Sequence, residues 1–184
     1  MIKTLVTTLF VLILPLTSHA LLELRAGYGV NTLDKTDYTT AQLTSMSGFN
    51  LDAIFEPPML TDLGLGLRYE SLGLDVKTGG VNVGSSDLKR LSALVNYRVI
   101  DLFAYLGFIG TFGLNSDLST TIGGVKTSYD AKFNYSIGVE GGVNLGFLSV
   151  GAEVGKIFGK FTHTGVEDIK LDSIYAKVLV GFDI

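Results

Sequence analysis

Residues 22–31, LELRAGYGVN, set Leu22, Leu24, Ala26, Tyr28 and Val30 against Glu23, Arg25, Gly27, Gly29 and Asn31. Apolar residues at every second position mark a β-strand with unlike faces, because successive strand side chains point to opposite sides. The same period recurs along the chain. Phe49, Leu51, Ala53 and Phe55 oppose Gly48, Asn50, Asp52, Ile54 and Glu56, and Leu63, Leu65, Leu67 and Tyr69 oppose Gly64, Gly66, Arg68 and Glu70. Leu91, Ala93, Val95 and Tyr97 oppose Arg90, Ser92, Asn96 and Arg98. The stretch 102–114 is almost wholly apolar; its greasy face is assigned to Ala104, Leu106, Phe108 and Phe112, its other face to Tyr105, Gly107, Thr111 and Gly113. Further on, Phe133, Tyr135, Ile137, Val139 and Val143 oppose Lys132, Asn134, Ser136, Gly138, Glu140 and Gly142. Leu148, Val150, Ala152, Val154 and Phe158 then oppose Ser149, Gly151, Glu153 and Gly155. The last segment sets Ile174, Ala176, Val178, Val180, Phe182 and Ile184 against Ser173, Tyr175, Lys177, Gly181 and Asp183. Eight strands result.

The connections between them alternate in length. Leu33–Ser45, Gly73–Ser86, Ser116–Asp130 and Lys160–Leu171 read as long polar loops, whereas Pro57–Asp62, Val99–Asp101 and Leu145–Phe147 read as short turns. Pro57 and Pro58 fall in a turn, consistent with the ladder hydrogen bond that proline cannot give. The expected fold is therefore all-β: a closed, antiparallel, up-and-down barrel of eight strands over residues 21–184. Residues 1–20 read as a secretory signal, with Lys3, an apolar core from Leu5 to Leu16 and Ser18-His19-Ala20 as a small-x-small cleavage site.

Composition narrows the function. The chain of 184 residues is 47% apolar and 17% charged, with a mean hydropathy of +0.41. That is poor in charge for a water-soluble domain. No cysteine is present, which removes disulfides, thiolate zinc sites, a cysteine nucleophile and a cysteine lipid anchor. A formal charge of −4 argues against nucleic acid as a partner.

Which face points outward decides between a soluble ligand carrier and a membrane protein. The polar face carries Gly27, Gly29, Gly64, Gly66, Gly107, Gly138, Gly142, Gly151 and Gly155. Glycine weakens a strand and gains nothing on a solvated exterior, but inside a narrow eight-stranded tube it leaves room for long neighbours. The apolar face is too bulky for such an interior and is placed outside, against lipid. Aromatic residues sort accordingly: Tyr28, Phe49, Tyr69, Phe112, Phe133, Tyr135 and Phe158 toward the long-loop rim, and Phe55, Tyr97 and Phe182 toward the short-turn rim. Two such girdles are the expected anchors at bilayer interfaces.

On these residues the chain resembles the small eight-stranded outer-membrane barrels of the OmpA transmembrane-domain and OmpX type. The sharpest element is the closing segment YAKVLVGFDI, with Val178, Val180, Phe182 and Ile184 at alternate positions from the end. The resemblance implies that this strand is read by the barrel-assembly machinery, although Ile184 stands where the family most often ends in Phe. It further implies a bacterial outer-membrane location, contact with outer-membrane lipids and lipopolysaccharide, and a monomer.

Eleven charged residues project inward on this reading: Glu23, Arg25, Asp52, Arg68, Glu70, Arg90, Arg98, Lys132, Glu140, Glu153 and Lys177. Their signs nearly balance, as a paired interior requires. The expectation is a polar plug; a small ion or solute channel is the alternative. A second alternative is a lipid A deacylase, because Phe161-Thr162-His163-Thr164-Gly165 is similar to that family's Phe, His and Ser pattern. Gly165 stands where the serine nucleophile belongs, so no catalytic residue is assigned. Glu140 and Glu153 could imitate a catalytic carboxylate pair. The acids Asp34, Asp37, Asp87, Asp117, Glu167 and Asp168 lack EF-hand spacing, and no helix follows Gly27-x-Gly29 or Gly64-x-Gly66 to hold a phosphate. No metal and no cofactor is expected. The function read from the sequence is a structural or surface barrel, of envelope-integrity or adhesion type.

Overall fold

A computed structural model describes residues 22–33, 42–58, 60, 62–78, 81–163 and 166–184. The signal segment 1–20, the tip of the first long connection with Asp34 and Asp37, and Thr164 and Gly165 lie outside the described residues. Among the described residues nine strands follow one another: β1 (Leu22–Leu33), β2 (Gln42–Phe55), β3 (Leu63–Thr78), β4 (Val81–Asp101), β5 (Ala104–Ile122), β6 (Val125–Asn144), β7 (Leu148–His163), β8 (Val166–Lys170) and β9 (Ser173–Asp183). Each pairs antiparallel with its chain neighbour from β1 to β7, and β9 bonds both β7 and β1, closing a ring of eight. The short β8 lies outside the ring count, beside the upper end of β7. Closure leaves no sheet edge in the ring, as hydrocarbon demands of any strand that crosses it.

Two faces result from the alternation. Outward, Leu67, Val95, Phe108, Ile137, Val154, Val178 and their neighbours are exposed as a continuous apolar belt. The belt has a sharp upper margin: Leu91 gives way to Lys89 on β4, Leu114 to Asn115 and Asp117 on β5, and Phe133 to Lys132 on β6. Inward, Tyr105 and Thr111 are buried while Leu106, Phe108 and Phe112 are exposed, so the apolar stretch 102–114 faces as its pattern implied.

Glycines on the inner wall seat two tyrosines. Tyr175 of β9 lies over Gly155 and Gly138, and a Cβ at either glycine would stand 2.6 Å from its hydroxyl. Tyr105 of β5 lies in the same way over Gly142 and Gly151.

Three of the connections read as loops are largely strand. β3 and β4 run on to Thr78 and from Val81, and β5 and β6 meet in a tight hairpin, Ile122-Gly123-Gly124-Val125. Gly123 and Gly124 both have positive φ, 57° and 82°, the requirement of a two-residue hairpin turn whose twist matches its strands. In the fourth connection, β8 pairs back along β7. Serine and threonine in these segments belong to a ladder, some on its solvent face, such as Ser85 and Ser128, and some inside, such as Ser86 and Ser116, and are not evidence of a loop. The 21 residues of β4 span about 70 Å of extended chain and, tilted, about 50 Å of height. An apolar band of about 25 Å uses half of that.

Candidate functional site

Inward residues follow one order from the short-turn end upward, and β4 shows it most plainly: Arg98 and Asn96, then Leu94, then Ser92 and Arg90, then Leu88. The barrel interior is layered accordingly.

The lowest layer is ionic. Glu23 accepts hydrogen bonds from Arg25 (2.8 Å), Arg98 (2.7 Å) and the Ser149 hydroxyl (3.2 Å). Glu140 accepts from Arg25 (2.6 Å) and Asn96 (3.1 Å), with Arg98 at 3.5 Å. Arg98 also reaches Asp101 (3.0 Å) and Glu56 (3.5 Å) at the mouth, and its guanidinium lies 4.7 Å from the centre of the Tyr105 ring. Next comes a thin apolar layer of Ile54, Leu94 and Ile109.

A second ionic layer lies above it. Arg68 donates through two nitrogens to Asp52 (2.8 and 2.7 Å) and through two hydrogen bonds to Glu153 (2.8 and 2.7 Å). Lys177 donates to Glu70 (2.6 Å) and stands 3.7 Å from Glu153, and Arg90 stands 3.1 Å from Glu70. Arg90 also donates to the Thr111 hydroxyl (3.2 Å), which is bonded to Ser136 (2.6 Å). Three acids, Asp52, Glu70 and Glu153, balance three bases, Arg68, Arg90 and Lys177. In a water-poor interior such charges coexist only when paired and hydrogen-bonded.

Over this layer lies an apolar cap of Leu33, Met46, Leu72, Leu74, Leu88, Leu118, Phe161 and Leu171, with Tyr129 and Ala131 packed against it. Sequence reasoning missed the cap because these residues lie in or beside the stretches read as loops. The available signal was the period-two spacing of Leu72 with Leu74 and of Leu88 with Arg90.

Of the eleven charged residues expected inside, ten are buried there and meet one another as described. Lys132 does not. β6 carries a bulge between Ala131 and Phe133, so Lys132 has no partner on β7, turns out to solvent, and leaves the inward place to Ala131. Glu140 and Glu153 are opposite one another in the β6–β7 register, yet each is held by a separate set of cations, Arg25 with Arg98 and Arg68 with Lys177. Phe161 faces the cap, and His163 is exposed, edge-on to Tyr129 at 5.6 Å.

Every aromatic assigned to the two rims lies on the outer face, where Tyr135 and Phe158 stack at 4.9 Å and Phe49 meets Tyr69 at 6.2 Å. The short turns add Phe103 and Phe147, 80% and 71% exposed, which a strand pattern could not reveal. On β9, Val178, Val180 and Phe182 face outward, and Ile184, just past its end, is exposed.

A closed antiparallel ring of eight strands, apolar outside and ionic within, defines a small barrel of the outer-membrane type. Solved structures with this fold include the attachment invasion locus protein Ail of Yersinia pestis (14% identity, TM-score 0.54, 88% of this chain and 97% of that one). Neisserial surface protein A, NspA, is similar over 91% of this chain and its own whole length (12% identity, TM-score 0.57). OprG of Pseudomonas aeruginosa is similar over 89% of this chain and 95% of its own (12% identity, TM-score 0.52). No family model and no curated protein sequence matches the chain.

Proposed function

We propose that the protein is a non-conducting outer-membrane barrel whose work is done at the cell surface, in attachment or envelope integrity, by the tall hairpins β3–β4 and β5–β6. One observation carries this reading: an apolar cap covers ionic layers whose charges are already engaged with each other. A conducting pore needs sites that bind an ion and release it; here the interior cations are held by carboxylates. What remains available to a partner is the outer surface. Similarity to Ail, an attachment protein by name, agrees with that direction.

In this reading residues 1–20 are cleaved on export and the short turns face the periplasm. The assembly machinery takes the β9 segment ending in Val178, Val180, Phe182 and Ile184, and the barrel works as a monomer among lipopolysaccharide. Purified protein in planar bilayers then gives no conductance steps. Cells displaying it bind a host-cell or matrix surface, or resist envelope stress, in a manner lost when the β5–β6 hairpin is cut back to the belt. Discrete channel openings in the intact protein would overturn the reading.

A further inference from the structure

Five carboxylates meet two guanidiniums at the short-turn mouth: Glu23, Glu56, Asp101, Glu140 and Asp183 against Arg25 and Arg98. Acid exceeds base by three there, unlike the balanced layer above. Four of the five acids are pinned. Glu23 and Glu140 each accept from several donors, as described. Asp101 takes Arg98 at 3.0 Å and the Asn144 amide at 2.8 Å, and Asp183 is fixed in β9 by its N–H on the Phe147 carbonyl (3.0 Å). Among the described residues Glu56 has one cationic partner, Arg98 at 3.5 Å, and that guanidinium lies closer to Glu23 (2.7 Å) and Asp101.

Glu56 also opens the β2–β3 turn. Pro57 and Pro58 fix φ at successive positions, the Leu60 N–H bonds the Pro57 carbonyl (2.8 Å), and the Leu63 N–H bonds the Leu60 carbonyl (2.9 Å), so the turn is stiff within itself. Among the described residues its polar ties to the rest of the rim both reach Arg98. The Glu56 carboxylate meets the guanidinium, and the Asp62 carbonyl accepts the Arg98 N–H at 2.8 Å. The other turns are laced to one another through backbone, Asn144 N–H to the Phe103 carbonyl (2.9 Å) and Asp183 N–H to that of Phe147.

We propose that this turn is a latch worked by one proton, closed over the mouth while Glu56 is neutral and swung out into water once Glu56 ionises. A neutral Glu56 adds nothing to the acid excess. An ionised one competes for Arg98 with Glu23, Asp101 and Glu140, all better held, and is pushed outward by the like charges of Glu23 on β1, Asp101 on β4 and Asp183 on β9. On β5 the Tyr105 ring lies against Arg98 at 4.7 Å, and on β7 the Ser149 hydroxyl is spent on Glu23. Burial raises Glu56 to about 7; Arg98 opposes the shift, and the three neighbouring acids add to it, so the latch turns over near neutral pH. Release exposes the lower ionic layer alone. The upper layer and the apolar cap stay in place, and the barrel remains non-conducting in both positions.

The test measures the width of the mouth in lipid nanodiscs. The chain has no cysteine, so Leu60→Cys with Phe147→Cys places two nitroxide labels on exposed turns at opposite sides of the ring. Pulsed EPR should give one distance at about pH 5 and a longer one at about pH 9, two units to either side of the transition. The midpoint should lie at about 7. Glu56→Gln should keep the short distance throughout, and Asp62→Asn, on the same turn, should switch as the wild type does. Labels at Phe103→Cys and Phe147→Cys, on the laced part of the rim, should hold one distance. Migration in unheated gels shows that each variant is folded before it is measured. A wild-type distance indifferent to pH overturns the latch, and a shift that survives Glu56→Gln overturns the assignment to Glu56.

Discussion

Arg68 and Glu153, 85 positions apart in sequence, meet across the barrel through two hydrogen bonds of 2.8 and 2.7 Å. β3 and β7 stand on opposite sides of the eight-stranded ring, so this pair braces the wall along a diameter. Asp52 holds the same guanidinium from the neighbouring strand.

Removing one member of that brace should cost more than replacing both. Glu153→Gln leaves a buried guanidinium short of a charge partner and should destabilise the barrel by about 3–5 kcal/mol, the scale for breaking a buried pair. Arg68→Met combined with Glu153→Leu should recover only part of the loss, because Asp52 then lacks the guanidinium it shares with Glu153. Urea unfolding in lipid vesicles, run as a double-mutant cycle, measures both; equal destabilisation by the single and double changes would show that the pair does not act as a unit.

The facing of the strands has its own test. Val139 sits in the middle of the outward belt, and Val125 stands exposed beside the tip of the β5–β6 hairpin. Val139→Arg should cost about 2–4 kcal/mol in vesicles, as a basic residue near the bilayer midplane does. Val125→Arg should leave the unfolding midpoint where it is. If the two changes cost the same, the belt has been placed wrongly.

Acidity at the short-turn mouth should tune stability. Burial raises Glu56 to about 7 from an ordinary 4.5; Arg98 opposes the shift, and Glu23, Asp101 and Asp183 add to it. A carboxyl that holds its proton more tightly when folded stabilises fully below its unfolded pKa and loses that contribution as pH rises through its folded pKa. Wild-type stability should therefore fall between about pH 5 and about pH 8, and Glu56→Gln should flatten that part of the profile. Denaturant midpoints across the range decide it, and an unchanged slope in the variant would assign the effect elsewhere.

Seating of the tyrosines predicts where alanine cannot replace glycine. A methyl at Gly138 would meet the Tyr175 hydroxyl at 2.6 Å and the Val154 carbonyl at 2.7 Å, whereas one at Gly73 meets nothing nearer than 3.9 Å. Gly138→Ala should cost about 1–3 kcal/mol by overpacking, and Gly73→Ala little. Chemical unfolding of the two variants side by side gives the comparison.

How far the sequence carried depends on the kind of information involved. Period two survives wherever a strand separates unlike environments, so Leu22–Val30 and Ile174–Ile184 could be read directly, including which residues face inward. Ten inward charges followed from parity alone. Parity fails at a bulge, and Lys132 was misplaced because one extra residue before Phe133 reverses the count. It also fails above the belt, where water replaces lipid outside and the outward face turns polar. There Leu72, Leu88, Leu118 and Phe161 were hidden among serines and threonines of both faces, Ser86 and Ser116 lying on the inward face beside Leu88 and Leu118. Which ion meets which across the tube, as Arg68 meets Glu153, depends on register between distant strands and has no local signature.

The two-glycine turn at Gly123 and Gly124 has a mechanical consequence. Because β5 and β6 run unbroken from this tip into the embedded wall, a pull applied there is not absorbed by slack tether. The β5–β6 rungs themselves lapse between Asp117↔Asp130 and Phe112↔Tyr135, so the load passes as shear into the flanking β4–β5 and β6–β7 ladders, shared among many backbone bonds at once. Whatever grips the summit of this molecule is gripping the membrane through a stiff mast.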